Sequence, residues 1–211
     1  MTNRSLAELI PSGFHGLHSL QELDLSNNLL ERFNYKVFRR MPALRRLILT
    51  GNPIILEPGV PFITSKSLLS LDLGFCDIVD VPKGALDGLR NVTDLSLRGN
   101  PLRLQKGRPL LGSPRTLAKL SVLDLSACEL ESLPAGVIDM LTGLRRLYLD
   151  GNSLHTVERG VLPRGLRHLD LSANQMRDPP TAVITALNLT KLELSDNPVH
   201  CTCTCVGLQV S

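Results

Sequence analysis

The pattern leucine-x-x-leucine-x-leucine-x-x-asparagine opens eight times in this chain, at Leu20, Leu44, Leu68, Val92, Leu120, Leu144, Leu166 and Leu189. Successive openings lie 24, 24, 24, 28, 24, 22 and 23 residues apart. A short unit that returns at a near-constant period cannot bury its own apolar side, whereas stacked copies can. Inside each unit the leucines alternate with other residues, which reads as a brief strand. Leu23 and Leu25, Leu47 and Leu49, and Leu71 and Leu73 then point inward, while Asp24, Ile48 and Asp72 between them point outward.

The asparagine column holds Asn28, Asn52, Cys76, Asn100, Cys128, Asn152, Asn174 and Asn197. An amide both donates and accepts, so this column is expected to satisfy backbone groups where the chain leaves the strand. The next column, Leu30, Ile54, Ile78, Leu102, Leu130, Leu154, Met176 and Val199, is expected to be core. Phe14, Phe38, Phe62, Leu86, Ile138 and Val183, six residues before each strand unit, form a second apolar spine. Cys76 and Cys128 stand two rungs apart, about 10 Å by strand spacing, too far for a disulfide.

The repeat resembles the leucine-rich repeat, and its period of about 24 residues with a phenylalanine spine resembles the typical extracellular subfamily. The resemblance implies an α/β solenoid, a horseshoe with a short-stranded parallel sheet on the concave face. Residues 20–196 carry the eight strand-bearing repeats, and residues 1–19 an incomplete N-terminal repeat. Residues 197–211 begin Asn197-Pro198-Val199-His200-Cys201-Thr202-Cys203 and resemble the start of a cysteine-rich C-terminal cap, as in Toll-like receptors, Slit-type guidance proteins and small matrix proteoglycans. That resemblance implies disulfides from Cys201 and Cys203, whose partners lie beyond Ser211; Cys205 is an additional thiol. The expectation is a fragment of a larger parent, carrying no signal peptide within residues 1–20.

The outward strand columns are the candidate binding face. The central one reads Asp24, Ile48, Asp72, Ser96, Asp124, Tyr148, Asp170 and Glu193. The preceding one reads Glu22, Arg46, Ser70, Asp94, Val122, Arg146, His168 and Lys191. An acidic stripe flanked by bases can recognise and steer a basic protein surface, although L-D-L is also the commonest form of the repeat itself. Tyr148, with Arg146 and Asp150 two residues to either side, is the sharpest candidate, because tyrosine and arginine dominate interface energies. The expected ligand contacts are Asp72, Asp124, Arg146, Tyr148, Asp150 and Asp170. Phe75 either adds an apolar contact or tucks into the turn.

Asn3, Asn91 and Asn188 each open an N-x-S/T sequon, and the latter two share one slot, an exposed corner before a repeat. A net charge of +3 with scattered bases argues against nucleic acid. The nearest basic cluster, Arg103, Lys106, Arg108, Arg115 and Lys119, reads as a solvated loop in the 28-residue repeat. His15, His18, His155, His168 and His200 fall at unrelated repeat positions with no paired nucleophile, so no catalytic site, metal or cofactor is expected. No apolar run reaches the ~18 residues of a membrane span. The function expected is recognition of a protein or other macromolecule by part of an extracellular receptor or secreted protein, in innate immunity or adhesion. The alternative is an intracellular leucine-rich repeat scaffold or regulatory subunit.

Overall fold

The computed structural model describes residues 6–34, 36–112 and 117–199. The expectations for Asn3, Arg115, His200, Cys201, Cys203 and Cys205 lie outside those residues.

Eight three-residue strands form one parallel sheet in chain order: β1 (Glu22–Asp24), β2 (Arg46–Ile48), β3 (Ser70–Asp72), β4 (Asp94–Ser96), β5 (Val122–Asp124), β6 (Arg146–Tyr148), β7 (His168–Asp170) and β8 (Lys191–Glu193). The register pairs equivalent positions throughout, for example Leu47 with Leu71 and Asp124 with Tyr148. The sheet lines the concave face of a solenoid of about seven turns. Outside it the chain is mostly irregular, with two 3₁₀ turns (Pro11–Phe14 and Val37–Arg40) and one short helix, α1 (Thr181–Ala186).

Stacking buries what single repeats expose. Leu47, Leu49, Leu123, Leu147 and Leu169 are fully buried, while Leu23 and Leu25 are half-buried because their rung has a full rung on one side only. The convex spine is as expected at Phe38, Phe62, Leu86, Ile138 and Val183, with Phe33 packed edge-on to Phe38 at 5.6 Å. In the two repeats of unusual length the same role passes to residues the period does not mark. Leu110, Leu111 and Leu117 are buried in the 28-residue repeat, and Val161 and Leu162 in the 22-residue one. The expanded segment is therefore a loop anchored by leucines.

The asparagines form the expected ladder. Asn100 Oδ1 accepts from the backbone N–H groups of Cys76 and Ile78 at 2.9 Å. Its Nδ2 donates to the carbonyls of Leu73 (2.8 Å) and Leu97 (2.7 Å). Asn152 repeats this arrangement on Cys128, Leu130, Leu125 and Leu149. Cys76 and Cys128 keep the donor half: Cys76 Sγ donates to Leu49 O and Gly74 O, and Cys128 Sγ to Leu97 O and Ser126 O. A thiol has no amide oxygen to offer the preceding rung, and Ile54 N–H bonds instead to the carbonyls of Asn52 and Cys76. Both thiols are free, and burial pushes each up to about 11.

One column escapes the leucine pattern. The residue before each ladder position lies in the left-handed region in all eight rungs: Asn27, Gly51, Phe75, Gly99, Ala127, Gly151, Ala173 and Asp196. Glycine occupies it in alternate rungs as far as Gly151. A Cβ on Gly99 would lie 2.3 Å from Phe75 Cε1, and one on Gly51 2.5 Å from Asn27 Oδ1. Gly51 and Gly99 thus make room for the side chain of the rung before them.

Candidate functional site

The register sets the candidate face side by side. Ser70, Asp94, Val122, Arg146, His168 and Lys191 form one row, and Asp72, Ser96, Asp124, Tyr148, Asp170 and Glu193 the next. Tyr148 therefore lies between Asp124 and Asp170 across the sheet, while Arg146 and Asp150 are its neighbours along the chain. Its nearest ring is His168, at a centroid separation of 5.2 Å in an edge-on contact. His168 Nε2 is 3.1 Å from Glu193 Oε1, and Lys191 Nζ donates to that oxygen at 2.6 Å. Glu193 is held below the usual carboxylate range chiefly by the Lys191 hydrogen bond, which outweighs the opposing desolvation, with a smaller contribution from the His168 hydrogen bond. Lys191 is raised by the same bond. Three rungs thus join Tyr148, His168, Glu193 and Lys191, a grouping invisible in any one repeat.

The aspartates of the column also serve the chain. Asp72 Oδ1 accepts from Gly74 N–H at 2.9 Å, and Asp124 and Asp170 accept in the same way from Ser126 and Ser172. Each closes an Asx turn where the strand ends. The recurring L-D-L thus has a local structural cause at one carboxylate oxygen. Asp24 shows the energetic sense: the Ser26 hydrogen bonds hold it below the usual range. Asp124 and Asp150 share the buried Ser126 hydroxyl at 2.5 Å each, and Asp150 also pairs with Arg98 at 3.5 Å. Asp72 and Asp170 keep their second oxygen without a partner among the described residues.

Phe75 does not tuck into the turn. It is 54% exposed, with its ring beside Gly99. Its left-handed backbone is that of the whole column, so what sets Phe75 apart is an exposed aromatic ring at that offset. The signal was in the sequence, in Gly99 recurring one rung from Phe75, but only the left-handed geometry gives it meaning.

The arginines of the two L-R-R-L units divide their work, and Arg167, in an L-R-H-L unit, stands at the offset of their first members. Arg45 Nη1 donates to Ser67 O, Arg145 Nη1 to Gly165 O and Arg167 Nη1 to Asn188 O. These first arginines tie each rung to the next, whereas Arg46 and Arg146 face the concave side. Of the two internal sequons, Asn188 is exposed. Asn91 is half-buried, contrary to the expected open corner, because its Nδ2 donates to Lys66 O at 2.8 Å and its Oδ1 accepts from Lys119 Nζ at 2.7 Å. In the expanded loop Arg108 pairs with Asp80 at 2.7 Å. Among the described residues no cluster of histidine, cysteine or carboxylate could hold a metal ion, and no helix is long and apolar enough to cross a membrane.

Comparison with known proteins agrees with this architecture. A family model described as leucine rich repeat matches residues 1–54, 118–176 and 142–199, and a second of that description matches residues 64–81. Lumican from Oryctolagus cuniculus is 33% identical over 184 residues, covering 84% of this chain and 90% of that one. Lumican from Rattus norvegicus is 32% identical over 203 residues, and osteomodulin from the same species 34% identical over 180. The chain spans 57% and 40% of those two relatives. Among solved structures, the TLR13–ssRNA13 complex contains a chain matched with a TM-score of 0.71 at 25% identity, covering 95% of this chain and 28% of that one. The mouse RP105/MD-1 complex gives a TM-score of 0.72 at 22% identity, covering 92% and 37%. The expectation that nucleic acid is excluded finds no support in this set, since one similar chain was solved with single-stranded RNA. The shared fold, the repeat register and these matches place the chain in the leucine-rich repeat family, among relatives that are extracellular repeat proteins.

Proposed function

We propose that the chain is the recognition portion of an extracellular protein, secreted or cell-surface, and that its concave face binds a protein ligand carrying basic and apolar groups. The observation that carries this reading is the placement of Tyr148 against His168 within the acidic column. There an aromatic ring, an ordered His168–Glu193–Lys191 network and the carboxylates Asp124 and Asp170 meet across neighbouring strands. A preorganised aromatic among charges is the composition expected of an interface centre. Asp72 with Phe75 supplies a second contact area toward the N-terminal rungs, and Arg146 and Asp150 border the first. Extracellular leucine-rich repeat relatives support the compartment. Asn188 is the glycosylation site this reading favours, over Asn91 with its engaged amide.

The test is a selection of displayed random peptides on the immobilised chain, followed by affinity measurement on variants. Basic peptides are expected, with affinity reduced at least about tenfold by Tyr148→Ala and about threefold by Asp170→Asn. Binders indifferent to both substitutions would remove the concave face from the reading.

A further inference from the structure

Six ion pairs among the described residues involve Arg32, Arg46, Arg98, Arg108, His168 and Lys191. None uses a base from the flank on which the chain enters its strands. There Arg39, Lys66, Arg90 and Lys119 stand exposed on four successive repeats, without an acidic partner among the described residues. Two adjoining cavities of about 620 and 670 Å³ open beside Arg39, Lys66 and Arg90 and share Thr64, Ser65 and Lys66. The first reaches Arg39 and Arg45, the second Arg90 and Asn91. Asp87 is the one carboxylate among the described residues lining either.

The groove has fixed walls. Arg45 is held at its rim by the 3.0 Å bond to Ser67 O. Asn91 joins the Lys66 backbone to the Lys119 ammonium through bonds of 2.8 and 2.7 Å. The four bases come from successive rungs, one to five residues before each strand unit opens. The result is a row of positive charge with hydroxyl and amide groups between, opposite in sign to the aspartate column of the concave face. Phe38, the aromatic lining the first cavity, is buried, so nucleobases would find no stacking platform there.

We infer that this flank is a second binding site, for a sulfated polysaccharide chain lying along the repeats. Its sulfates would meet Arg39, Lys66, Arg90 and Lys119, and its hydroxyls Thr64 and Asn91. The inference is independent of the concave-face reading and draws on the extracellular assignment only for where such a ligand is met.

The experiment is calorimetric titration of the full chain with a heparin-derived oligosaccharide at two salt concentrations, with circular dichroism on every variant. The variant Arg39→Ala/Lys66→Ala/Arg90→Ala is expected to weaken binding at least about tenfold and to flatten the salt dependence, because counterion release scales with the charges engaged. Removing as many bases elsewhere, by Arg103→Ala/Lys106→Ala/Arg177→Ala, is expected to change affinity less than about twofold. If the triple variant does not fold, Lys66→Gln and Arg90→Gln singly carry the same test, each with a loss of about threefold. Equal losses from both triple variants, or undiminished binding of the desulfated oligosaccharide, would overturn the site. A homopolymeric single-stranded oligonucleotide that binds as tightly as the oligosaccharide would overturn the polysaccharide assignment in favour of nucleic acid. Failure of secretion, or of a glycan at Asn188, would count against the extracellular reading without moving these affinities.

Discussion

Asn100 is 0% exposed and completes bonds to two backbone donors and two acceptors from different rungs. Asn100→Ala leaves those groups buried and unmatched, so a loss of about 3 kcal/mol or more in denaturant unfolding is expected. Cys76 and Cys128 occupy the same slot with a lighter role. Their thiols are raised by burial from 9.0 to about 11, so the folded state favours the protonated form. The sign follows: the stabilisation is complete below pH 9 and is lost as pH rises from 9 toward about 11. A Cys76→Ser/Cys128→Ser variant is expected to show a smaller fall in thermal midpoint across that range than the parent. The ladder was legible because its spacing is strict. The left-handed column beside it was not, because Asn, Gly, Phe, Ala and Asp share no chemistry, only a backbone conformation. Gly99→Ala should cost about 1–2 kcal/mol for the left-handed backbone, and more through its collision with the Phe75 ring. Adding Phe75→Ala should remove the second part, as a double-mutant cycle in urea would read.

Among the elements, position along the stack decides cost. Leu71 is enclosed by rungs on both sides, so Leu71→Ala is expected to lose about 2–5 kcal/mol, and Leu23→Ala in the half-buried first rung distinctly less. Equal losses in equilibrium unfolding would contradict the end-rung account. The strands and regular spine could be read directly, since period and burial coincide there. Where the period breaks, reading by offset fails. Leu110, Leu111 and Leu117, and Val161 and Leu162, fill the core from positions that counting back six residues does not reach. The basic loop residues were legible as exposed, but the pairing of Arg108 with Asp80 crosses repeats and leaves no local mark. Arg45, Arg145 and Arg167 are similar: their sequence context looks like surface charge, and their geometry makes them ties between rungs.

Charge is unevenly distributed over the described residues although the net charge is only +3. Carboxylates collect on the concave sheet because successive repeats place equivalent offsets on one surface, and four exposed bases without an ion pair among the described residues gather on one flank. The columns of the concave face could be listed from sequence alone, whereas the Tyr148–His168–Glu193–Lys191 grouping needed the register between rungs. The flank groove went unseen because Arg39, Lys66, Arg90 and Lys119 stand at different offsets and meet only when the loops are folded. The central claim is that the concave face around Tyr148 recognises a basic protein ligand. Its most direct test is an amide chemical-shift map of the isotope-labelled chain titrated with a selected basic peptide. The account predicts the largest shifts at Asp124, Arg146, Tyr148, His168 and Asp170, with the flank at Lys66 and Arg90 unmoved. Shifts centred on that flank or on the outer loops, with the strands silent, would contradict it.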